Sequence, residues 1–149
     1  MQNIMKKLED IVICDLDGTL ALFGNKNPYR RDFINDEINE PLKMVLSYLY
    51  GDYRIIFFSG RSGEYRHETV QWLHRELGWL TKDIEPILFM RQMGDKRKDV
   101  IVKREMYHTY IEGKYNVFCV FDDRPVMVKM WREEMGFFVF DCNQSGKEY

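Results

Sequence analysis

Two aspartates one residue apart, Asp15 and Asp17, follow the apolar run Ile11-Val12-Ile13 and lead into Gly18 and Thr19. A short β-branched run of this kind has the composition of a strand buried on both faces. Carboxylates at the C-terminal end of such a strand stand where open parallel sheets bind ligands. Two carboxylates so close repel each other, and a hard divalent cation such as Mg2+ is the simplest compensation. An isolated Asp-Gly is an ordinary turn former. Here it has company: Ser59 and Arg61, then Asp95 and Lys98, then Asp122 and Asp123 each follow a further apolar run. In a parallel sheet the ends of those runs share one edge, so the four groups can converge in one crevice. Two acidic pairs with a hydroxyl and cations between them suit metal and phosphate.

The elements that must position these residues are legible as an alternation. Residues 1–10 form a polar lead-in, and residues 21–39 read as a flap-like loop rich in Gly, Asn, Pro and charge. A helix starts near Glu40-Pro41, with Leu42, Val45, Leu46 and Leu49 on one face. Strands are expected at 53–58, 87–90, 117–121 and 137–140. Helices are expected at about 64–77 and 97–111, and another begins at Pro125 and contains Val128, Met130 and Trp131. Strands alternating with helices predict one doubly wound α/β domain over residues 1–149, Rossmann-like, with a parallel sheet of about five strands flanked by helices.

Composition bounds the partners. With 149 residues, 45% hydrophobic, 31% charged and a net charge of -2, the chain has no global drive toward nucleic acid or membrane, so a basic surface must be local. Cys14, Cys119 and Cys142 form no Cys-x-x-Cys, and the first and second lie inside apolar runs, as buried thiols in a reducing compartment do. No signal peptide or membrane-length apolar stretch is read, which gives a cytoplasmic expectation. His67, His74 and His108 have no metal-ligand spacing with the cysteines. No Gly-x-x-x-x-Gly-Lys-[Ser/Thr] phosphate loop occurs.

The order of these motifs resembles that of the haloacid-dehalogenase-like (HAD) phosphohydrolases: Asp-x-Asp-Gly-Thr, a strand-ending Ser or Thr, a Lys and an acidic pair. The runs Asp15-Leu-Asp-Gly-Thr-Leu-Ala, Asn27-Pro-Tyr, Ser59-Gly-Arg, Gly94-Asp-Lys-Arg-Lys-Asp and Asp122-Asp-Arg…Met130-Trp-Arg are similar to the phosphatase domains of bacteriophage polynucleotide kinase-phosphatases. The resemblance implies Mg2+-dependent phosphoryl transfer through an aspartyl-phosphate. It makes Asp15 the nucleophile and Asp17 the general acid and base. Asp122 and Asp123 complete a metal set with Asp15 and Asp17, while Ser59 and Lys98 hold transferring phosphate oxygens. Arg61 offers a planar fork to a phosphate. Lys26 falls where the family carries a functional Arg, and Asp95 lies in a stretch where the family uses an acidic residue. Both are counted with Arg97 toward substrate binding.

Only twenty residues separate Thr19 from Glu40, and no later insertion could form a cap domain. An uncapped crevice admits the end of a polymer, whereas phosphatases of small molecules use lids to exclude water. Residues 91–104 carry a local net charge of +4 through Arg91, Lys96, Arg97, Lys98, Lys103 and Arg104, which suits a phosphodiester backbone. The expected substrates are therefore nucleic acid 3′ ends, DNA or RNA, the choice of terminus following from the resemblance. A separate kinase or ligase partner goes with that expectation, and no membrane does. Hydrolysis of nucleotides or other small phosphate esters is the alternative. A phosphate-accepting receiver is a third reading, against which Asp17 stands. Trp72, Trp79, Tyr107, Tyr110 and Trp131 fit core positions, leaving Tyr29 and Tyr65 as candidates for stacking on bases.

Overall fold

In the computed structural model, which describes residues 7–24, 27 and 32–146, strand β1 (Glu9–Asp15) is the central strand of a five-stranded sheet. Its Ile11, Val12, Ile13 and Cys14 are at most 1% exposed, because both faces of the strand are covered. β2 (Ala21–Leu22) and β3 (Glu37–Ile38) pair antiparallel and form the base of the expected flap. Lys26 and Tyr29 lie outside the described residues.

Helix α1 (Glu40–Leu49) opens with the Asn39 side chain accepting the Leu42 backbone N–H and with Pro41 in its first turn, the residue types that start helices. It leads to β4 (Arg54–Ser62), α2 (Arg66–Glu76) and β5 (Ile87–Arg91), which lies outside β4. The chain then returns through α3 (Asp99–Tyr110) to β6 (Tyr115–Asp122) on the other side of β1. A short α4 (Pro125–Lys129) continues into a wide π-type turn over Met130–Glu134, and β7 (Val139–Asp141) closes that edge. The order is β5-β4-β1-β6-β7, with every neighbour parallel.

Side chains alternate across β1. Val12 and Cys14 join Leu42, Leu46, Trp72 and Leu73 in one core layer with α1 and α2. Ile11 and Ile13 join Val102, Met106, Val128 and Trp131 in the other, beneath α3 and α4. This is the expected doubly wound α/β architecture. The strand order reverses at β1, so a crevice opens beyond the C-terminal ends of β1, β4 and β6.

Most boundaries shift by one or two residues from the sequence reading, and three shifts change which residues stand at the strand and helix ends. β4 runs past Phe58 through Ser59-Gly60-Arg61 to Ser62, with an irregular register against β5. α3 starts at Asp99, because Lys98 has extended backbone (φ -59°, ψ 145°). Phe137 and Phe138 precede β7 rather than belonging to it. Among the aromatics assigned to the core, Trp72 and Trp131 are fully buried, but Tyr110 is 39% exposed and lies flat on Phe89. Tyr65 packs edge-on against Phe33. No helix among the described residues is long and apolar enough to cross a membrane.

Candidate active site

Asp15 ends β1 with its carboxylate buried in the crevice. The turn that follows wraps around the Leu16 carbonyl, which accepts the backbone N–H groups of Thr19, Leu20 and Ala21. Gly18 has φ +83°, a backbone that a residue with a Cβ rarely adopts, and this permits the tight reversal. The turn sets Thr19 Oγ1 2.9 Å from both Asp15 Oδ2 and Asp123 Oδ1. A hydroxyl has one proton to donate, so a second proton must sit on a carboxylate for both contacts to be hydrogen bonds.

Asp122 ends β6 directly alongside. Its Oδ1 accepts the backbone N–H groups of Asp123 and Arg124, and its Oδ2 accepts the indole N–H of buried Trp131. Oxygens of Asp15, Asp122 and Asp123 all lie within 4.8 Å of one another, and all three residues are buried. Burial, and then the charge of neighbouring carboxylates, pushes Asp123 well above the usual carboxylate range. Burial also raises Asp122, although the Lys103 ammonium opposes the rise.

Among the described residues, one cation faces this group. Lys103, on the buried face of α3, donates to Asp15 Oδ1 at 2.6 Å and lies 3.8 Å from Asp122 Oδ2. Burial works against its ammonium, but Asp15 and Asp122 outweigh that and hold its pKa above the ordinary lysine value. With all three carboxylates ionised, one ammonium leaves two negative charges uncompensated. An all-oxygen donor set with that residual charge fits a hard divalent cation such as Mg2+.

Asp17 stands apart from the three. Its carboxylate is held by Arg61, whose Nη2 donates to Oδ1 at 2.7 Å while Nε reaches both oxygens at 3.1 Å. Arg61 also donates to Asp36 Oδ2 and Thr69 Oγ1, and Phe33 lies under its guanidinium. The fork expected to meet a phosphate grips two carboxylates in this structure, those of Asp17 and Asp36. Ser59 is buried at the same strand end, its Oγ accepting the Arg61 backbone N–H.

The cations and the acid after β5 are placed differently from the expectation. Lys98 is exposed before the first turn of α3 and has no ion-pair partner among the described residues. Lys98 is expected to hold transferring phosphate oxygens, but the lysine beside Asp15 is Lys103. Asp95 and Arg97 bind each other, and Arg97 also pairs with Glu105. The Arg97 hydrogen bonds hold the Asp95 carboxyl down to about 2, and neither residue reaches the carboxylate group. Asp99, not Asp95, is the acid on the crevice side. It bridges Arg91 and Arg124, and an added Cβ at Gly60 would come within 2.7 Å of its Oδ1.

Sequence reasoning thus missed Lys103, Asp99, Asp36 and Thr19 as partners of the site. For Lys103 a signal existed: it shares the apolar face of α3 with Val102 and Met106. A lysine there needs a buried counter-charge.

The sheet order and the carboxylates at its C-terminal edge define a HAD-like phosphatase domain. A class C acid phosphatase from Bacillus anthracis has the same fold, with a TM-score of 0.60 over 91% of this chain at 17% identity. The chain belongs to the family of the polynucleotide kinase PNKP phosphatase domain, whose model matches residues 9–146. It is 40% identical over 134 residues to a putative bifunctional polynucleotide kinase/RNA ligase of Autographa californica nuclear polyhedrosis virus, a match covering 85% of this chain and 18% of that protein. A chain in the structure of a Pnkp1/Rnl/Hen1 complex superposes with a TM-score of 0.81 at 38% identity, covering 92% of this chain and 47% of that one. The chain therefore spans about half of that solved chain and under a fifth of the viral protein.

Proposed function

We propose that this chain is a Mg2+-dependent polynucleotide 3′-phosphatase that removes 3′-terminal phosphates from DNA or RNA ends through an aspartyl-phosphate on Asp15. The observation that carries the reading is the buried Asp15, held at 2.6 Å by Lys103 beside Asp122 and Asp123, within a chain of the PNKP phosphatase family.

Asp15 attacks phosphorus, forming a P–O bond to its carboxylate as the bond to the 3′ oxygen breaks. Asp17 gives that oxygen its proton, then takes one from the water that hydrolyses the aspartyl-phosphate. Arg61 fixes the direction of the Asp17 carboxylate, and Asp36 fixes Arg61 from behind. Lys103 neutralises oxygen charge as the phosphoryl group passes to Asp15. Ser59 adds a hydroxyl at the neighbouring strand end. Asp15, Asp122 and Asp123 would hold the divalent cation, which when bound neutralises phosphate oxygens and fixes an in-line approach.

The relatives also support partners. The viral relative is described as a kinase and RNA ligase, and the solved relative stands in a complex with Rnl and Hen1. Kinase or ligase activities, in this chain or another, would accompany end repair here. The free thiols of Cys14, Cys119 and Cys142 favour a reducing, cytoplasmic setting.

One observation favours the small-ester alternative. Arg91, Arg97 and Arg104 are paired with carboxylates and Lys103 is buried, so the basic stretch is much less cationic toward solvent than its sequence. Phosphate release from matched 3′-phosphate and 5′-phosphate oligonucleotides and mononucleotides, with Mg2+ and with chelator, separates the two. The proposal expects metal-dependent release, fastest from 3′-phosphate oligonucleotides. Equal use of 5′ ends, or indifference to chain length, contradicts it.

A further inference from the structure

The loop over residues 92–98 is pinned to the crevice by one side chain. Arg91 Nε donates to the Gly60 carbonyl at 2.8 Å, and its Nη1 donates to the carbonyls of Asp95, at 3.1 Å, and Arg97. Its Nη2 binds Asp99, which in turn accepts Arg124 Nη1 at 2.6 Å. One end of this network lies beside Ser59 and Arg61, and the other beside Asp123. The loop is thus a fixed part of the crevice rim.

Within the rim most of the charge is already neutralised. Arg97 pairs with Asp95 and Glu105, and Arg91 with Asp99. Lys96 and Lys98 remain, both exposed and without an ion-pair partner among the described residues. Both lie within the three residues before the twelve-residue α3, whose amide end adds positive potential there.

Resting on the phosphatase reading above, we infer that Lys96 and Lys98 are the contacts for the phosphodiester backbone of the substrate strand. They set the preference for an oligonucleotide over a single nucleotide. The terminal phosphate enters at Asp15 and the preceding nucleotides run out over residues 92–98. Two lysines two residues apart on a rigid loop hold a strand without reading its bases, so binding is electrostatic and sequence-tolerant. Arg97, the middle cation, braces the loop through Asp95 and Glu105.

The test compares Lys96→Ala/Lys98→Ala with Lys82→Ala. Lys82 is an exposed lysine in the loop before β5, and so at the opposite edge of the parallel sheet. The readout is kcat/KM for a 3′-phosphorylated oligodeoxynucleotide divided by that for an aryl phosphate, at low and high salt. The double variant should lower this ratio about fivefold at low salt, with the difference vanishing at high salt. Its log–log salt slope should flatten by about 1.4, at roughly 0.7 for each single-strand phosphate that is no longer neutralised. Lys82→Ala should leave both quantities as in the wild type. A double variant indistinguishable from Lys82→Ala overturns the inference while leaving the phosphatase reading intact. A wild-type enzyme with no preference for oligonucleotides over mononucleotides overturns both.

Discussion

Lys103 Nζ and Asp15 Oδ1, eighty-eight residues apart in sequence, meet at 2.6 Å in the buried crevice. The pair ties the middle of α3 to the end of β1 and gives the proposed nucleophile a fixed partner. An ammonium there is doubly constrained, since Asp122 lies 3.8 Å away on its other side.

The first prediction follows from that pairing. Lys103→Ala should lower kcat for an aryl phosphate about 100-fold or more, the scale of losing one preorganised electrostatic partner. Lys98→Ala should cost less than about tenfold. Steady-state kinetics on the two variants decide it, and the reverse ranking would return the catalytic role to Lys98.

Arg61→Lys tests the hold on Asp17. The charge remains, but a single ammonium cannot reproduce the two-pronged grip on Asp17 while also meeting Asp36. We expect kcat to fall about tenfold or more with KM changed less, since the proposed acid and base Asp17 loses its fixed direction. A wild-type kcat in Arg61→Lys would dissociate Arg61 from the proposed role of Asp17.

The raised carboxylates make stability depend on pH and metal together. In the folded protein without metal, Asp123 and Asp122 hold protons more tightly than an unfolded chain does. Between the unfolded pKa, about 3.9, and the higher folded values, the native state therefore binds more protons, and stability falls as pH rises. A divalent cation bound by the same carboxylates would replace those protons. Thermal melts in chelator should show a lower Tm at pH 8 than at pH 5.5. Mg2+ should raise Tm more at pH 8 than at pH 5.5. An equal Mg2+ effect at both pH values would contradict the carboxylate group as its site.

Gly60 has no room for a methyl group. A Cβ there would meet the Asp99 carboxylate, which Arg91 and Arg124 hold from either side. Gly60→Ala should destabilise the protein by about 1–2 kcal/mol through overpacking and disturbed ion pairs. In the Asp99→Ala background the same change should cost less, and denaturant unfolding of the four-member cycle reads the coupling. Additive effects would mean that the Gly60 approach to Asp99 carries no energy.

How much of this was legible in the sequence depended on range. The strand ends at Asp15 and Asp122, and the place of Ser59 near the end of β4, could be read because β-branched and aromatic runs mark buried parallel strands, and the alternation with helices then placed those ends on one edge. What failed was choice among neighbours. Lys98 and Lys103 are both lysines near the same strand end, and only the start of α3 at Asp99 decides which one turns inward. Asp36 was invisible because its role exists only through Arg61, and the two meet across twenty-five residues of flap and helix. Likewise the +4 of residues 91–104 gave no hint that Glu105 and Glu134, just outside or far beyond the stretch, neutralise Arg97 and Arg104.

Trapping the phosphoryl group on Asp15 tests the central claim most directly. Enzyme in steady-state turnover of a 3′-phosphorylated oligonucleotide with Mg2+ is quenched with borohydride, which reduces an aspartyl-phosphate to an alcohol, and its peptides are analysed by mass spectrometry. The account predicts reduction at position 15 alone, dependent on substrate, and neither reduction nor phosphate release in Asp15→Asn. Turnover at the wild-type rate in Asp15→Asn, or reduction at another carboxylate, would contradict it.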